Sequence, residues 1–423
     1  MPNPIYILHL TDFHLAKDGK LFLTEDQKTS LIQNIGTFMK LKKGSSSMDI
    51  VCITGDMVDK NGDIEMGYDH TLAIDLIDNL KHKDVGIINQ DSKVYCVPGN
   101  HDLYKEGAFE EFKLLRKEYI DNKYKPLFEL VDKNVNKLSS YFNKYKEFVS
   151  AINANNLNSQ INDSLNYFRG YDIIKIKENK SIFVSWFNTS WLCLNDKHWN
   201  EIYLGDKDAE CGIIDNDKIS PGYEINKTVF DAFNKLTKGE ESEVVFKLSI
   251  SHHSPKLLSW FDKYDFETTD KGGNKIYHDS YYSHLLNYSL VLNGHTHGLL
   301  FDDNLFLTSP CLKHQLLKTF ITILEVDLVR KFVIHHYINV DKVKPSEEVE
   351  ITLKDLVIDK RITTFDADDF LQKSLSNYTY EDLMSDIEWN TNDKSDPIKE
   401  ANLKIEKQSL EQRKKFMSQL NNN

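Results

Sequence analysis

Five short clusters gather side chains that can hold metal ions or move protons: Asp12-Phe13-His14, Gly55-Asp56, Gly99-Asn100-His101-Asp102, His252-His253 and Gly294-His295-Thr296-His297. In the last, two imidazoles stand two residues apart after a glycine that lets the backbone turn sharply. In extended or turning backbone, positions i and i+2 project to one side, so both rings can reach one metal cluster. Asp12 and His14 repeat that spacing at the end of an apolar run. Taken singly, most clusters have an ordinary explanation: a turn aspartate, a helix cap, a surface histidine. Gly99-Asn100-His101-Asp102 fits such a role poorly. Pro98 and Gly99 force a turn while three polar groups crowd the end of an apolar strand.

Collected, the donors are Asp12, His14, Asp56, Asn100, His101, His252 or His253, His295 and His297. Adjacent side chains at a strand end point opposite ways, so one of His252 and His253 is expected to reach the cluster. Mixed oxygen and nitrogen donors suit Mn, Fe, Zn or Co better than Ca or Mg alone. They are too many for one tetrahedral ion and divide well between two ions that share a bridging carboxylate. Two such ions roughly 3.5–4 Å apart can hold a bridging hydroxide at neutral pH and bind phosphoryl oxygens. That is machinery for hydrolysing a phosphate ester.

These groups need strands to present them. Ile5–Leu10 reads as a buried strand, followed by a helix over 28–41 with Leu31, Ile35, Phe38 and Met39 at helical spacing. A second strand over 49–54 closes on Gly55-Asp56, and a helix over 64–80 follows. A third strand over 94–97 runs into the GNHD turn. Alternation of this kind argues for an α/β architecture with its ligands at the carboxyl edge of the sheet. Residues 109–152 carry apolar positions in steps of four and three, a helical segment or hairpin, and 153–166 is an asparagine-rich loop. A strand hairpin over 171–176 and 181–187 ends at Asn188-Thr189-Ser190. The aromatic, polar stretch 191–199 either lines a pocket or packs on the sheet.

A helix over 223–236, a strand over 243–250, a short helix over 281–287 and a strand over 290–292 lead to the final HxH cluster. Strands over 305–308, 319–326 and 331–340 are expected to build a second sheet face, with His335 and His336 as packing or surface residues. His9, His70, His82, His198, His278, His284 and His314 have no partner pattern and stay outside the site. Residues 347–358 alternate and add strands; 363–386 is acidic, and 397–420 is charged with a helical pattern.

At 423 residues the chain can bury a large core, and 40% hydrophobic with 28% charged residues is ordinary for a globular protein. A formal net charge of -13 argues against broad binding to a nucleic-acid backbone, while leaving a local basic groove or a nucleotide substrate open. The five cysteines are dispersed and lack CxxC spacing, which points to a reducing compartment without a disulfide framework. With no leader-like amino terminus and no apolar run of spanning length, a cytoplasmic location without membrane contact is expected.

The ordered set Asp12-Phe-His14, Gly55-Asp56, Gly99-Asn100-His101-Asp102, His252-His253 and Gly294-His295-Thr-His297, with Asn188-Thr189-Ser190 between, resembles the calcineurin-like metallophosphoesterase superfamily. The resemblance implies a four-layer αββα sandwich over 1–340; it does not account for the helical insertion at about 104–166 or for the C-terminal appendage, 341–423, which could dock a protein partner. It implies that Asp12, His14 and His297 hold a first divalent transition-metal ion and that Asp56 bridges. Asn100, His252 and His295 complete a second site, with His253 open as the alternative ligand. His101 would meet the phosphate and leaving-group oxygen, alongside Asn100 and His253, and Asp102 would orient His101.

Gly55-Asp56-Met57-Val58-Asp59 is superficially similar to the Ser/Thr protein phosphatase motif. Lys60-Asn61 stands in place of its Arg-Gly, however, and the third motif ends in Asp rather than Glu. Those departures favour the cyclic-nucleotide phosphodiesterase and nuclease-like branches. The expected activity is hydrolysis of phosphodiester or phosphomonoester bonds in a small, nucleotide-like substrate by attack of a metal-bridging hydroxide. The alternatives are a metal-dependent nuclease or nuclease-complex subunit acting on nucleic acid, and a non-catalytic metal-binding scaffold.

Overall fold

The computed structural model describes residues 4–15, 25–45, 47–58, 70–103, 139–161, 165–177, 180–190, 221–237, 243–254, 266–269, 275–278, 281–295, 300–302, 306–308, 320–330, 332–339 and 348–352. In chain order the elements are β1 (Ile5–Leu10), α1 (Glu25–Lys43), β2 (Ile50–Ile53), α2 (Thr71–Lys81), β3 (Lys93–Cys96), α3 (Asn143–Ala151), β4 (Arg169–Lys177) and β5 (Lys180–Phe187). They continue with α4 (Pro221–Thr237), β6 (Glu243–Ser251), β7 (Phe266–Thr269), β8 (Lys275–His278), α5 (Tyr281–Leu285) and β9 (Leu290–Asn293). Last come β10 (Leu300–Asp302), β11 (Phe306–Thr308), β12 (Phe320–Asp327), β13 (Phe332–Asn339) and β14 (Glu348–Thr352).

Two six-stranded mixed sheets carry the fold, in the orders β14-β13-β12-β1-β2-β3 and β10-β11-β9-β6-β5-β4; β7 and β8 form a separate antiparallel pair. In the first sheet β1, β2 and β3 run parallel, and in the second β5, β6, β9 and β11 do. Both faces of β1 and β2 are buried, so these strands read as apolar runs rather than as an alternation.

Strand periodicity sorts the side chains into layers. Tyr6, Leu8, Leu10, Val51 and Ile53 pack outward in one cluster with Leu31, Ile35, Phe38 and Met39 of α1 and Ala73, Leu76, Ile77 and Leu80 of α2. On the other sheet, Phe183, Phe187 and Val291 pack with Val229, Phe230 and Phe233 of α4 and Tyr281 and Leu285 of α5. The sheets meet through their inner faces. Tyr95 of β3 stacks on Trp186 of β5 with ring centroids 5.5 Å apart, and its hydroxyl donates to Asp172 of β4 at 2.7 Å. The layers are therefore helix, sheet, sheet, helix, as expected.

Several sequence expectations change. The strands read over 305–340 do not form one face. β11 joins the second sheet beside β9, whereas β12 pairs antiparallel with β1 and β13 with β12 in the first. β14 then pairs with β13, which adds the strand expected within 347–358 to the first sheet. Of the two roles expected for His335 and His336, packing or surface, the structure has packing: both are buried, and His336 meets Glu325 at 2.9 Å against Phe38. Of the helical segment 109–152, helix α3 is described together with a turn at 141–142; residues 104–138 lie outside the described residues.

The asparagine-rich loop holds a turn of 3-10 helix, Asn155–Asn158. Its side chains complete the edge of β3: Asn155 Oδ1 accepts from Val94 N at 2.8 Å. Asn156 likewise accepts from Cys96 N and donates to Cys96 O, each at 2.8 Å. An otherwise bare strand edge is thus covered by side-chain amides.

The chain divides into two units, Met1–His314 with Lys318–Asp359, and Gln315–Leu317 with Lys360–Asn423. All described residues belong to the first, so the expectations for 363–386 and 397–420 lie outside them. No helix among the described residues is long and apolar enough to cross a membrane.

Two predictions follow from this packing. The exits of β2 and β3 cross so closely that a Cβ on Gly99 would lie 2.0 Å from Asp56 Oδ1 and 2.3 Å from Asp56 N. Gly99→Ala should therefore lower the unfolding free energy by at least about 1–3 kcal/mol in urea titrations. An unchanged midpoint would show that the crossing is looser than this.

The second prediction concerns buried imidazoles. Burial, partly offset by Asp12, lowers His9 from 6.5 to about 3; burial lowers His284 to about 3. Burial, with His9 and His336 nearby, also holds His335 well below the ordinary range. Unfolded, these rings take up protons near pH 6.5; folded, they resist until far lower pH. Stability is thus fully present above about pH 6.5 and falls as pH drops from 6.5 toward 3. His284→Phe, placed against Phe230 and Phe233, should make that fall shallower in urea midpoints compared between pH 7.5 and 4.5.

Candidate metal centre

The carboxyl ends of six strands deliver the described site groups. β1 leads to Asp12 and His14, β2 to Asp56, β3 to Asn100 and His101, β5 to Thr189, β6 to His252 and His253, and β9 to His295. Beyond the strands the backbone stays paired. Asp12 N donates to Gly55 O at 3.0 Å, His14 N to Asp56 O at 2.9 Å, and Gly294 N to His252 O at 2.9 Å.

The two sheets are joined here as well. The amide of His295 donates to both oxygens of Asp12, at 3.0 and 3.1 Å, and the Thr11 hydroxyl donates to Asp12 Oδ2 at 2.6 Å. Only a residue without Cβ fits at 294, because a Cβ there would stand 2.1 Å from Thr11 Oγ1 and 2.6 Å from Asp12 Oδ2. Asp12, His14, Asp56 and His295 have φ of 52°, 45°, 52° and 72°. Left-handed backbone of this kind costs a non-glycine residue roughly 1–3 kcal/mol and persists only where its surroundings over-determine it.

Asp56 is the centre of the cluster. It is 1% exposed. Its Oδ2 lies 3.3 Å from His252 Nε2, 3.8 Å from His101 Nε2 and 3.9 Å from His14 Nε2, while its Oδ1 accepts from the amide of His101 at 2.8 Å. Asn100 Oδ1 is shared by His252 Nε2 at 3.0 Å and His295 Nδ1 at 3.1 Å. His14 Nε2 is also 3.8 Å from Asp12 Oδ1. Three sets of ligand atoms each converge within 4.8 Å: His14-Asp56-His101, Asp12-Asp56-His252 and His252-His253-His295. Most of these residues are buried, whereas His101 and His295 are partly exposed and form the open side.

The electrostatics test whether a cation fits. Burial by itself would raise the Asp56 pKa, yet His101, His252 and His14 hold it well below the usual carboxylate range. For His252, burial acts to lower the pKa, but Asp56 and Asp12 overcome it and raise the ring to about 9. His252 Nδ1 lies 2.7 Å from the carbonyl of Thr54, which needs a hydrogen on Nδ1. Nε2 then faces two oxygens, Asp56 Oδ2 and Asn100 Oδ1. That arrangement is stable only with a positive charge between them, supplied by a second proton or by a metal ion. The donor set, imidazole nitrogens with carboxylate and amide oxygens, suits a divalent transition metal.

The sequence-predicted residues Asp12, His14, Asp56, Asn100, His101, His252 and His295 thus stand together, and His297 lies outside the described residues. Both members of the His252-His253 pair reach the cluster, contrary to the expectation of one. The strand ends at Ser251, so the alternation that separates neighbouring side chains no longer applies. His253 turns toward His295, with ring centroids 4.4 Å apart, and its Nδ1 meets Thr189 Oγ1 at 3.0 Å. Burial, reinforced by His295 and His252, keeps its pKa well below 6.5.

Asp102 departs from its expected task of orienting the His101 ring. Its Oδ2 accepts from Gly99 N at 2.7 Å and Asp56 N at 3.0 Å; its Oδ1 meets Met57 N at 3.2 Å and His70 Nε2 at 3.1 Å. The carboxylate braces backbone instead. Sequence reasoning missed His70, Thr54 and Thr11. No spacing marks His70, and strand-end threonines are too common to single out.

With the geometry established, comparison with known proteins supplies the lineage. Residues 5–299 match the family described as "Calcineurin-like phosphoesterase". No curated protein matches the chain. Among solved structures it is similar to GAP50, the anchor in the inner membrane complex of Plasmodium, at 11% identity and a TM-score of 0.35, covering 83% of this chain and 90% of that one. It is also similar to a protein described as a 5'-nucleotidase from Staphylococcus aureus in complex with alpha-ketoglutarate, at 11% identity and a TM-score of 0.37. That alignment covers 89% of this chain and 58% of the other. The match spanning all five clusters' scaffold, from β1 to the loop after β9, places the chain in the calcineurin-like phosphoesterase family.

Proposed function

We propose that this protein is a divalent-metal-dependent hydrolase of phosphodiester or phosphomonoester bonds in small, nucleotide-like substrates. One observation carries the reading: three imidazole nitrogens from three separate loops converge on a single buried oxygen, Asp56 Oδ2, at 3.3 to 3.9 Å. A net charge of -13 supports a small substrate over a polyanionic one.

In this reading Asp12, His14 and His297 hold one ion, Asn100, His252 and His295 hold the other, and Asp56 lies between. Mn, Fe, Zn and Co all suit that donor set. When bound, a pair of such ions supplies Lewis acidity toward the phosphoryl group and activates water near neutral pH. The chain's own residues do the rest. Thr54 O fixes the His252 tautomer so that Nε2 faces the cluster, and Thr189 does the same for the ring position of His253. His101, on the open side, holds a proton for the departing oxygen. Asn100 and His253 contribute to binding the phosphate beside it.

Mn-loaded protein is expected to hydrolyse bis-p-nitrophenyl phosphate. His101→Ala should lower kcat by about 10²–10⁴-fold, the usual share of a general acid, while metal analysis still finds two ions. Loss of both properties would make His101 a ligand instead. Asp56→Asn removes the shared anion and should abolish both ion binding and turnover, with the circular-dichroism spectrum preserved. Retained turnover in that variant would sink the dinuclear reading.

A further inference from the structure

His70 is a buried histidine outside the family's motifs. It immediately precedes α2 and occupies the helix's N-cap position, yet its side chain makes no cap hydrogen bond. The ring instead reaches Asp102, with Nε2 3.1 Å from Oδ1. Its Nδ1 is buried and meets no hydrogen-bond partner among the described residues. A bare N–H there would be costlier than a bare lone pair, so the hydrogen belongs on Nε2, which donates to the carboxylate.

Asp102 is 2% exposed, and its four acceptor directions are all in use. Three take backbone amides: Gly99 and Asp56 on one oxygen, Met57 on the other. These amides belong to the loops after β3 and β2, the loops that present Asn100, His101 and Asp56. His70 supplies the remaining donor, and it is the only side chain of the four. Without it, one lone pair of the buried carboxylate loses its donor among the described residues, and the three amides alone hold the rotamer.

We propose that His70 is a positioning residue for the metal centre: by fixing the rotamer of Asp102, it fixes the backbone that aims Asp56 and Asn100. The inference rests on the metal-dependent reading given under Proposed function. It also gives helix α3, which the family resemblance left without a role, a part in the site. Phe148 of α3 lies against the His70 ring, with centroids 5.4 Å apart and the rings tilted by 32°. The packing of α3 thereby bears on the geometry at Asp56 without touching it.

The test compares His70→Phe, which keeps the ring and removes the donor, with His70→Gln, whose amide can replace Nε2–H, and His70→Asn, whose amide is one methylene short. Mn binding is followed by loss of the free-Mn EPR signal and by the appearance of a spin-coupled pair. Turnover of bis-p-nitrophenyl phosphate is measured alongside. The Phe and Asn variants should bind Mn about 10–100-fold more weakly than wild type and lose spin coupling, while Gln restores both to within a few-fold. If the Phe variant does not fold, the Asn and Gln pair carries the comparison. Wild-type Mn affinity and coupling in Phe or Asn would overturn the proposal. So would a folded Gln variant as impaired as Phe, because the ring and not the donor would then matter. Failure of the wild-type protein itself to bind Mn would instead remove the metal reading, and the role of His70 with it.

Discussion

A carboxylate buried at the rim of two sheets is the constraint on which the site depends. Asp56 has almost no contact with solvent, and an isolated anion so placed costs several kcal/mol. Compensation comes from His14, His101 and His252, which arrive from three different strand ends, and from the amide of His101. His253, pressed between His252 and His295, is driven toward the neutral form. A divalent cation among these nitrogens would answer the buried charge of Asp56 as well, so the charge problem and the candidate ligand set are one feature.

Holding that arrangement costs the backbone elsewhere. Asp12, His14, Asp56 and His295 all sit in the left-handed region, and the loops carrying them press together where Gly99 and Gly294 leave out a side chain. Amide-to-carbonyl bonds beyond the strand ends keep those conformations in place, as do the Asp102 carboxylate and the contact from His295 to Asp12. The result is a set of candidate ligands, each backed by hydrogen bonds from behind. Such preorganisation is needed to hold reacting groups within a few tenths of an ångström.

Much of this was legible in the chain. The apolar run of β1, the helical spacing of Leu31, Ile35, Phe38 and Met39, and the β4–β5 hairpin follow from local periodicity, and the structure has them within a few residues. Strand partners were not legible. Alternation identifies β12 and β13 as strands, but the place of β12 beside β1 is decided by backbone hydrogen bonds between residues more than 300 positions apart, and β13 follows only as its hairpin partner. Asn155 and Asn156 look like loop composition and turn out to complete a strand edge. Asp102 stands next to His101 in sequence, which suggested a partnership, yet its side chain is directed to backbone amides and to His70.

The sequence by itself determined the kinds of groups available, their grouping into five clusters, and the strands whose ends present them, because each is a matter of residue type and short spacing. Only the tertiary structure decided that His252 faces Asp56 while His253 turns to Thr189 and His295, and that His70 stands behind Asp102. Those outcomes depend on where the chain leaves a strand and on which distant elements press against it there. Side-chain direction beyond a strand end is set by that packing, and no local pattern encodes it.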